Sequence, residues 1–146
     1  MITTERLILR PFTEKDAADL LEYLHEPTVH CFFDMKISSM DEAKEEAIKR
    51  MKTDYYFAIE LKDTGKVIGE VFVHPDGEGM EEEHSEEVYF NDTYSPCWML
   101  NKDYHGKGYA YTAITNAPVP NGMSVTARRS ARIGLRIRLL RKYQLG

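Results

Sequence analysis

Asn101-Lys102-Asp103-Tyr104-His105-Gly106-Lys107-Gly108-Tyr109-Ala110-Tyr111 is the stretch on which the reading of this 146-residue chain turns. Two glycines, two apart, stand just before a helix-compatible run. Glycine lets backbone approach a ligand closely with its N–H groups aimed at it, and a helix start adds positive field, so the place suits a phosphate or pyrophosphate. The spacing excludes two common phosphate loops. No Gly-Lys-Ser/Thr follows as a Walker loop requires, and the third glycine and later acid of the dinucleotide fingerprint are missing. Taken alone, the stretch also fits a plain glycine-rich turn before a helix.

Upstream, Ser95–Leu100 reads as a strand running straight into this loop, with Pro96 marking an edge or a bulge. Before it, Phe57, Ile59 and Leu61 alternate with Tyr56, Ala58 and Glu60. Asp63-Thr64-Gly65 supplies turn chemistry and Lys66–His74 repeats the alternation, so the two strands form a hairpin. Residues 75–93, with eight acids and two glycines, read as a solvated loop. Near the start, Arg6–Arg10 reads as a strand stopped by Pro11. Thr13 with Asp16, then Ser39 with Glu42, are capping pairs that open two helices, each worth about 1 kcal/mol. The first buries Ala17, Leu20, Leu21 and Leu24, and the second carries Met40, Ala43, Ala47, Ile48 and Met51 on one side. Between them Val29–Phe33 is an apolar patch that fits a helical turn or a pocket wall.

The length suits one domain, and 42% hydrophobic residues with 11% aromatics suffice for a core. No apolar run reaches the length of a membrane helix, and the N-terminus has no secretory pattern. Two cysteines, Cys31 and Cys97, are too few for a disulfide scaffold and lack metal-ligand spacing, so no metal is expected and the default compartment is the cytoplasm. Cys97 reads as a half-buried structural thiol. The net charge of −5 conceals an abrupt change. Residues 1–113 hold 12 Lys/Arg against all 24 Asp/Glu, whereas residues 114–146 hold seven Lys/Arg and no acid.

Three segments, in order and at matching intervals, carry a resemblance: Thr4–Phe12 (Thr-Glu-Arg-Leu-Ile-Leu-Arg-Pro-Phe), Asp63–Gly69 (Asp-Thr-Gly-Lys-Val-Ile-Gly) and Trp98–Ala110. Together they resemble the GNAT acyltransferase superfamily, in its branch of ribosomal-protein N-terminal acetyltransferase-like proteins. The resemblance covers about residues 3–113 of a single domain, 1–146. It implies an α/β (α+β) fold with a mixed, mostly antiparallel central sheet flanked by helices, and where the resemblance breaks off the usual last strands are expected to be lacking. It also implies acetyl-CoA as co-substrate and an amine acceptor, a protein N-terminus or a small molecule, attacking the thioester directly.

The family's pyrophosphate motif falls on His105, Gly108 and Ala110, with Gly106, Lys107 and Tyr109 between, and His105 stands where Gln or Arg is usual. The strand Trp98-Met99-Leu100 would pair its backbone with the pantetheine arm. Glu70 and His74 alternate onto one strand face with Ile68 and Phe72, which makes them candidates for proton transfer and equally an edge carboxylate and a surface imidazole.

After Ala113 the resemblance stops. Pro118 and Pro120 end any helix early. Met123–Ala127 and Ala131–Leu139 then alternate as strands do, with a basic amphipathic helix as the other reading. Three explanations of this basic tail stay open: a shifted reading frame or altered terminus, a nucleic-acid-binding extension, or a divergent end that completes the sheet. The −12 of the remainder argues against nucleic acid as a partner. A chain that keeps the fold without its last strands would be an impaired binding protein, its exposed apolar edges favouring homo-oligomers.

Overall fold

The computed structural model describes residues 1–28, 30–75, 94–117, 123–129 and 135–141. Among these residues seven strands form one sheet in the order β1-β2-β3-β4-β5-β7-β6, with antiparallel pairings throughout. They are β1 (Ile2–Thr3), β2 (Leu7–Arg10), β3 (Tyr56–Leu61), β4 (Val67–Pro75), β5 (Tyr94–Leu100), β6 (Met123–Arg129) and β7 (Leu135–Arg141). Helices α1 (Ala17–Leu24) and α2 (Met40–Met51) cover one face, and α3 (Tyr109–Thr115) lies on the other.

Period-two alternation sorts the β3 side chains as expected. Ile59 and Leu61 enter the core under α3, and Ala58 enters the core under α1 and α2. In β4 the rule breaks once. Ile59 pairs with Gly69 but Glu60 pairs with Val67, so Ile68 is an extra residue, a β-bulge. Ile68 therefore joins Val71 and Val73 under α3, not Phe72 and Glu70 under α1. The turn before it uses Gly65 at φ +72, where the N–H of Gly65 bonds to the Leu61 carbonyl.

Both capping pairs form. The Asp16 carboxylate accepts from the Thr13 N–H at 2.7 Å, and Ser39 Oγ accepts from the Glu42 N–H. Glu42 in return accepts from the Ser38 N–H, one residue earlier than a capping box would have it. The face that α2 buries differs from the expected one. Ala43, Ala47 and Arg50 are buried, whereas Met40 and Met51 are 41% and 46% exposed. The apolar patch takes its helical alternative, a short 3-10 turn over His30–Met35.

The tail follows its strand periodicity and not the helical alternative. β6 and β7 pair over Met123–Arg129 and Leu135–Arg141, and β7 meets β5 at Tyr94 opposite Leu139. Helix α3 ends at Thr115, ahead of Pro118 as expected. The expected acidic loop lies outside the described residues from position 76 onward.

Candidate functional site

The backbone of β5 decides what the site offers. The Asn101 N–H donates to the Ile68 carbonyl at 2.8 Å, which makes that pair a hydrogen-bonded rung of the β4–β5 ladder. Counting back along the register, Met99 and Cys97 face Glu70 and Phe72 in the same way. Leu100, Trp98 and Pro96 must then direct their backbone groups outward, away from β4. Val73 confirms the parity, since its N–H goes to Tyr55 on the β3 side. Proline is tolerated at an outward position because no rung of that ladder needs its missing N–H. Among the described residues, no strand pairs with the outward groups of Trp98 and Leu100.

This open edge lines a groove of about 230 Å³ whose walls include Trp98, Leu100, His105, Gly106, Gly108 and Ala110. Met99, Tyr104 and Tyr109 complete it. Eight of the nine residues expected at a donor site thus come together, and Tyr104 is an addition. Gly106 (φ +74) and Gly108 (φ +79) hold the loop in the left-handed region, where other residues are strained. A Cβ on Gly106 would meet nothing within 4 Å, so this side of the loop is open. His105 Nε2 lies 3.0 Å from the outward Leu100 carbonyl, which folds the loop back over the end of β5. Lys107, the ninth residue, stands exposed outside the groove. Its Nζ donates to the Asp103 carbonyl at 2.9 Å and lies 5.1 Å from the Tyr104 ring centre. Because α3 has only seven residues, the local N–H groups of the loop, more than a long helix dipole, set its polarity.

Glu70 is not part of this groove. It is fully buried beneath α1 and α2, where Arg50 Nε and Nη2 donate to its two oxygens at 2.7 and 3.2 Å and the Tyr23 hydroxyl donates at 3.1 Å. Arg50 also donates to Glu46 and lies over the Tyr56 ring. Burial lowers the Arg50 pKa and its bonds to Glu70 more than offset this, so the guanidinium stays charged. Burial, with Glu70 beside it, pushes the Tyr23 hydroxyl well above its ordinary value, so it remains a donor. The alternation that grouped Glu70 with Ile68 fails at the bulge. Of the other candidate, His74, the strand position opposite Ser95 is described and the side chain is not.

Sequence reasoning also missed Arg6 and Arg50. A charged residue in an amphipathic helix reads as solvated, so nothing in the α2 pattern marked Arg50. Arg6 reaches the glycine loop from 101 residues away in the chain, and its Nη1 donates to the Lys107 carbonyl at 3.1 Å.

The comparisons with known proteins bear on this geometry. The family model for the acetyltransferase (GNAT) domain matches residues 6–117, taking in the sheet core, both long helices and the groove. An uncharacterized N-acetyltransferase of Bacillus subtilis, YnaD, is 29% identical over 115 residues, which are 77% of this chain and 59% of that protein. A GNAT-family acetyltransferase structure from Bacillus anthracis superposes with a TM-score of 0.59 at 24% identity, over 77% of this chain and 60% of that one. This chain therefore spans about three fifths of the length of both relatives. With the open β5 edge, the glycine loop and the family match all falling within residues 6–117, the chain belongs to the GNAT acetyltransferase family.

Proposed function

We propose that the chain binds acetyl-CoA in the β5 groove and transfers acetyl to a primary amine, in the manner of the ribosomal-protein N-terminal acetyltransferase-like branch. The observation that carries this is the outward backbone of Trp98 beside the left-handed glycine loop. Pantetheine is built of amides, which need backbone donors and acceptors at a strand edge, and a diphosphate needs clustered N–H groups with little steric bulk. The first would be met by the N–H and carbonyl of Trp98, with only the N–H of Leu100 left to add since its carbonyl lies against His105, and the second by Gly106–Ala110. Lys107 would add positive charge. Trp98 and Tyr109 would supply apolar walls for the arm, the Met99 side chain being buried on the opposite face under α1 and α2.

When bound, acetyl-CoA supplies an acyl group activated as a thioester. The chain's own task is to hold that end of the donor against an amine and to accept the ammonium proton. Glu70 is committed to Arg50 and Tyr23 as a structural anion, which leaves His74 as the candidate proton acceptor of the two. Calorimetric titration with acetyl-CoA tests the reading. Saturable binding is expected, with loss of at least about tenfold in Gly108→Asp, where a carboxylate and a strained φ would meet the diphosphate. A folded chain that shows no heat of binding would refute the donor-site assignment.

A further inference from the structure

Three arginines precede residue 117, and two of them are neutralised. Arg10 donates to Asp16 through both terminal nitrogens and to Glu60 through Nε, and Arg50 donates to Glu70 and Glu46. Arg6 is different. Among the described residues its guanidinium has no carboxylate within ion-pair distance; its partners are a carbonyl oxygen and an aromatic face. Nη1 donates to the Lys107 carbonyl at 3.1 Å, and the guanidinium carbon lies 4.6 Å from the Tyr109 ring centre. Nη2 lies 3.5 Å from the position a Cβ on Gly108 would occupy. The arginine's backbone is pinned as well, because its carbonyl accepts from the Lys62 N–H at 3.0 Å.

An uncompensated cation fixed against a loop of glycines at the rim of a groove is suited to hold an anion. We propose that Arg6 is a positioning and charge-supplying residue of the donor site. It clasps the Gly106–Gly108 loop through Lys107 and Tyr109, and it presents its positive charge to the phosphate group that the loop holds. The inference rests on the acyl-donor reading above and assigns part of that site to the N-terminal segment. A planar fork stacked on Tyr109 leaves further N–H donors at its edge after the bond to Lys107, which a lysine at this position would not reproduce.

The test is the dissociation constant of acetyl-CoA for the wild-type chain, Arg6→Gln and Arg6→Lys, each at low and at high salt, with a melting curve for every protein. Arg6 is solvent-exposed, so both variants are expected to melt as the wild type does. Arg6→Gln should weaken binding about tenfold at low salt, and the deficit should shrink at high salt, where the charge is screened. Arg6→Lys, which keeps the charge and loses the fork, should fall between the two. A deficit that is the same at both salts would show a purely structural role and overturn the proposal, as would unchanged affinity in Arg6→Gln. Should Arg6→Gln fail to fold, Arg6→Lys decides alone, because wild-type affinity in that variant removes the clasp. Absence of acetyl-CoA binding in the wild type would instead overturn the donor site itself.

Discussion

The two faces of the sheet are held by different forces. Beneath α1 and α2 lie all four buried polar residues of the described chain, Asp16, Arg50, Glu70 and Asn101, each with hydrogen-bond partners. Lys66 extends the pattern at the margin, bonded to Asp19 and Glu22. Under α3 the core is apolar, built from Leu7, Leu9, Ile59, Val71 and Ile114 and their neighbours. Directional ion pairs fix α1 and α2 in one geometry. The apolar face is the one beside which the groove opens. The charged network thus belongs to the scaffold, and the proposed donor groove lies beside its apolar neighbour.

The largest expected effect tests that division directly. Glu70→Ala leaves Arg50 buried with one acid fewer and should cost about 3–5 kcal/mol in urea unfolding. The triple variant Arg50→Met, Glu70→Leu and Tyr23→Phe should recover most of it, since an apolar set of similar volume avoids the desolvation cost and leaves no orphaned hydroxyl. Failure to recover would mean that the ion pair specifies the packing of α2 as well as stabilising it. On the other face, Ile114→Ala should cost about 2–4 kcal/mol as a simple cavity, leaving α1 and α2 untouched in hydrogen exchange. Were protection lost across both faces together, the two would not be separable units.

Gly69→Ala comes next, at about 1–3 kcal/mol. Its Cβ would lie 2.1 Å from the Met99 carbonyl oxygen and 2.9 Å from Leu100 Cα, so β4 and β5 would have to part. A melting temperature equal to that of the wild type would show that the sheet absorbs the strain at this seam. The smallest effect is acid sensitivity confined to the charged face. Burial raises the Asp16 and Glu46 carboxyls, but bonds from Arg10 and Arg50 respectively hold both below their ordinary values. Lys66 and then Asn101 do the same for Glu22. A carboxyl lowered in the folded state stabilises at pH above its unfolded value of about 4 and loses that contribution as pH falls below it. Denaturant midpoints should therefore hold steady from pH 7 to about 5 and decline below about 4. A midpoint that rises on acidification would contradict the network.

Much of this organisation was legible in the residues. The hairpin at Asp63–Gly65, both capping pairs and the strand periodicity of the tail follow from local patterns with short range, and the gathering of Trp98–Ala110 into one place was implied by the family resemblance. What escaped has a common cause. The Ile68 bulge leaves no trace in a strand whose every residue is compatible with alternation. Arg50 looks solvated by periodicity, and its burial depends on Glu70 arriving from another element. Arg6 sits in a run that reads as plain strand, and its partner loop lies at the far end of the domain. Contacts set by tertiary placement do not announce themselves in spacing.

Pro96 and His105 together decide what kind of guest the sheet edge can admit. An exposed edge ordinarily invites other chains to add a strand, and proteins blunt such edges with proline. Beyond Tyr94, the outward positions of β5 are Pro96, which has no hydrogen to give, Trp98, and Leu100, whose carbonyl already lies against the His105 ring. An intruding polypeptide would find one complete rung with a faulty one on either side, too short a ladder for an aggregate to grow from. A small molecule that needs a single amide rung loses nothing by the same arrangement, so the edge sorts its visitors by length.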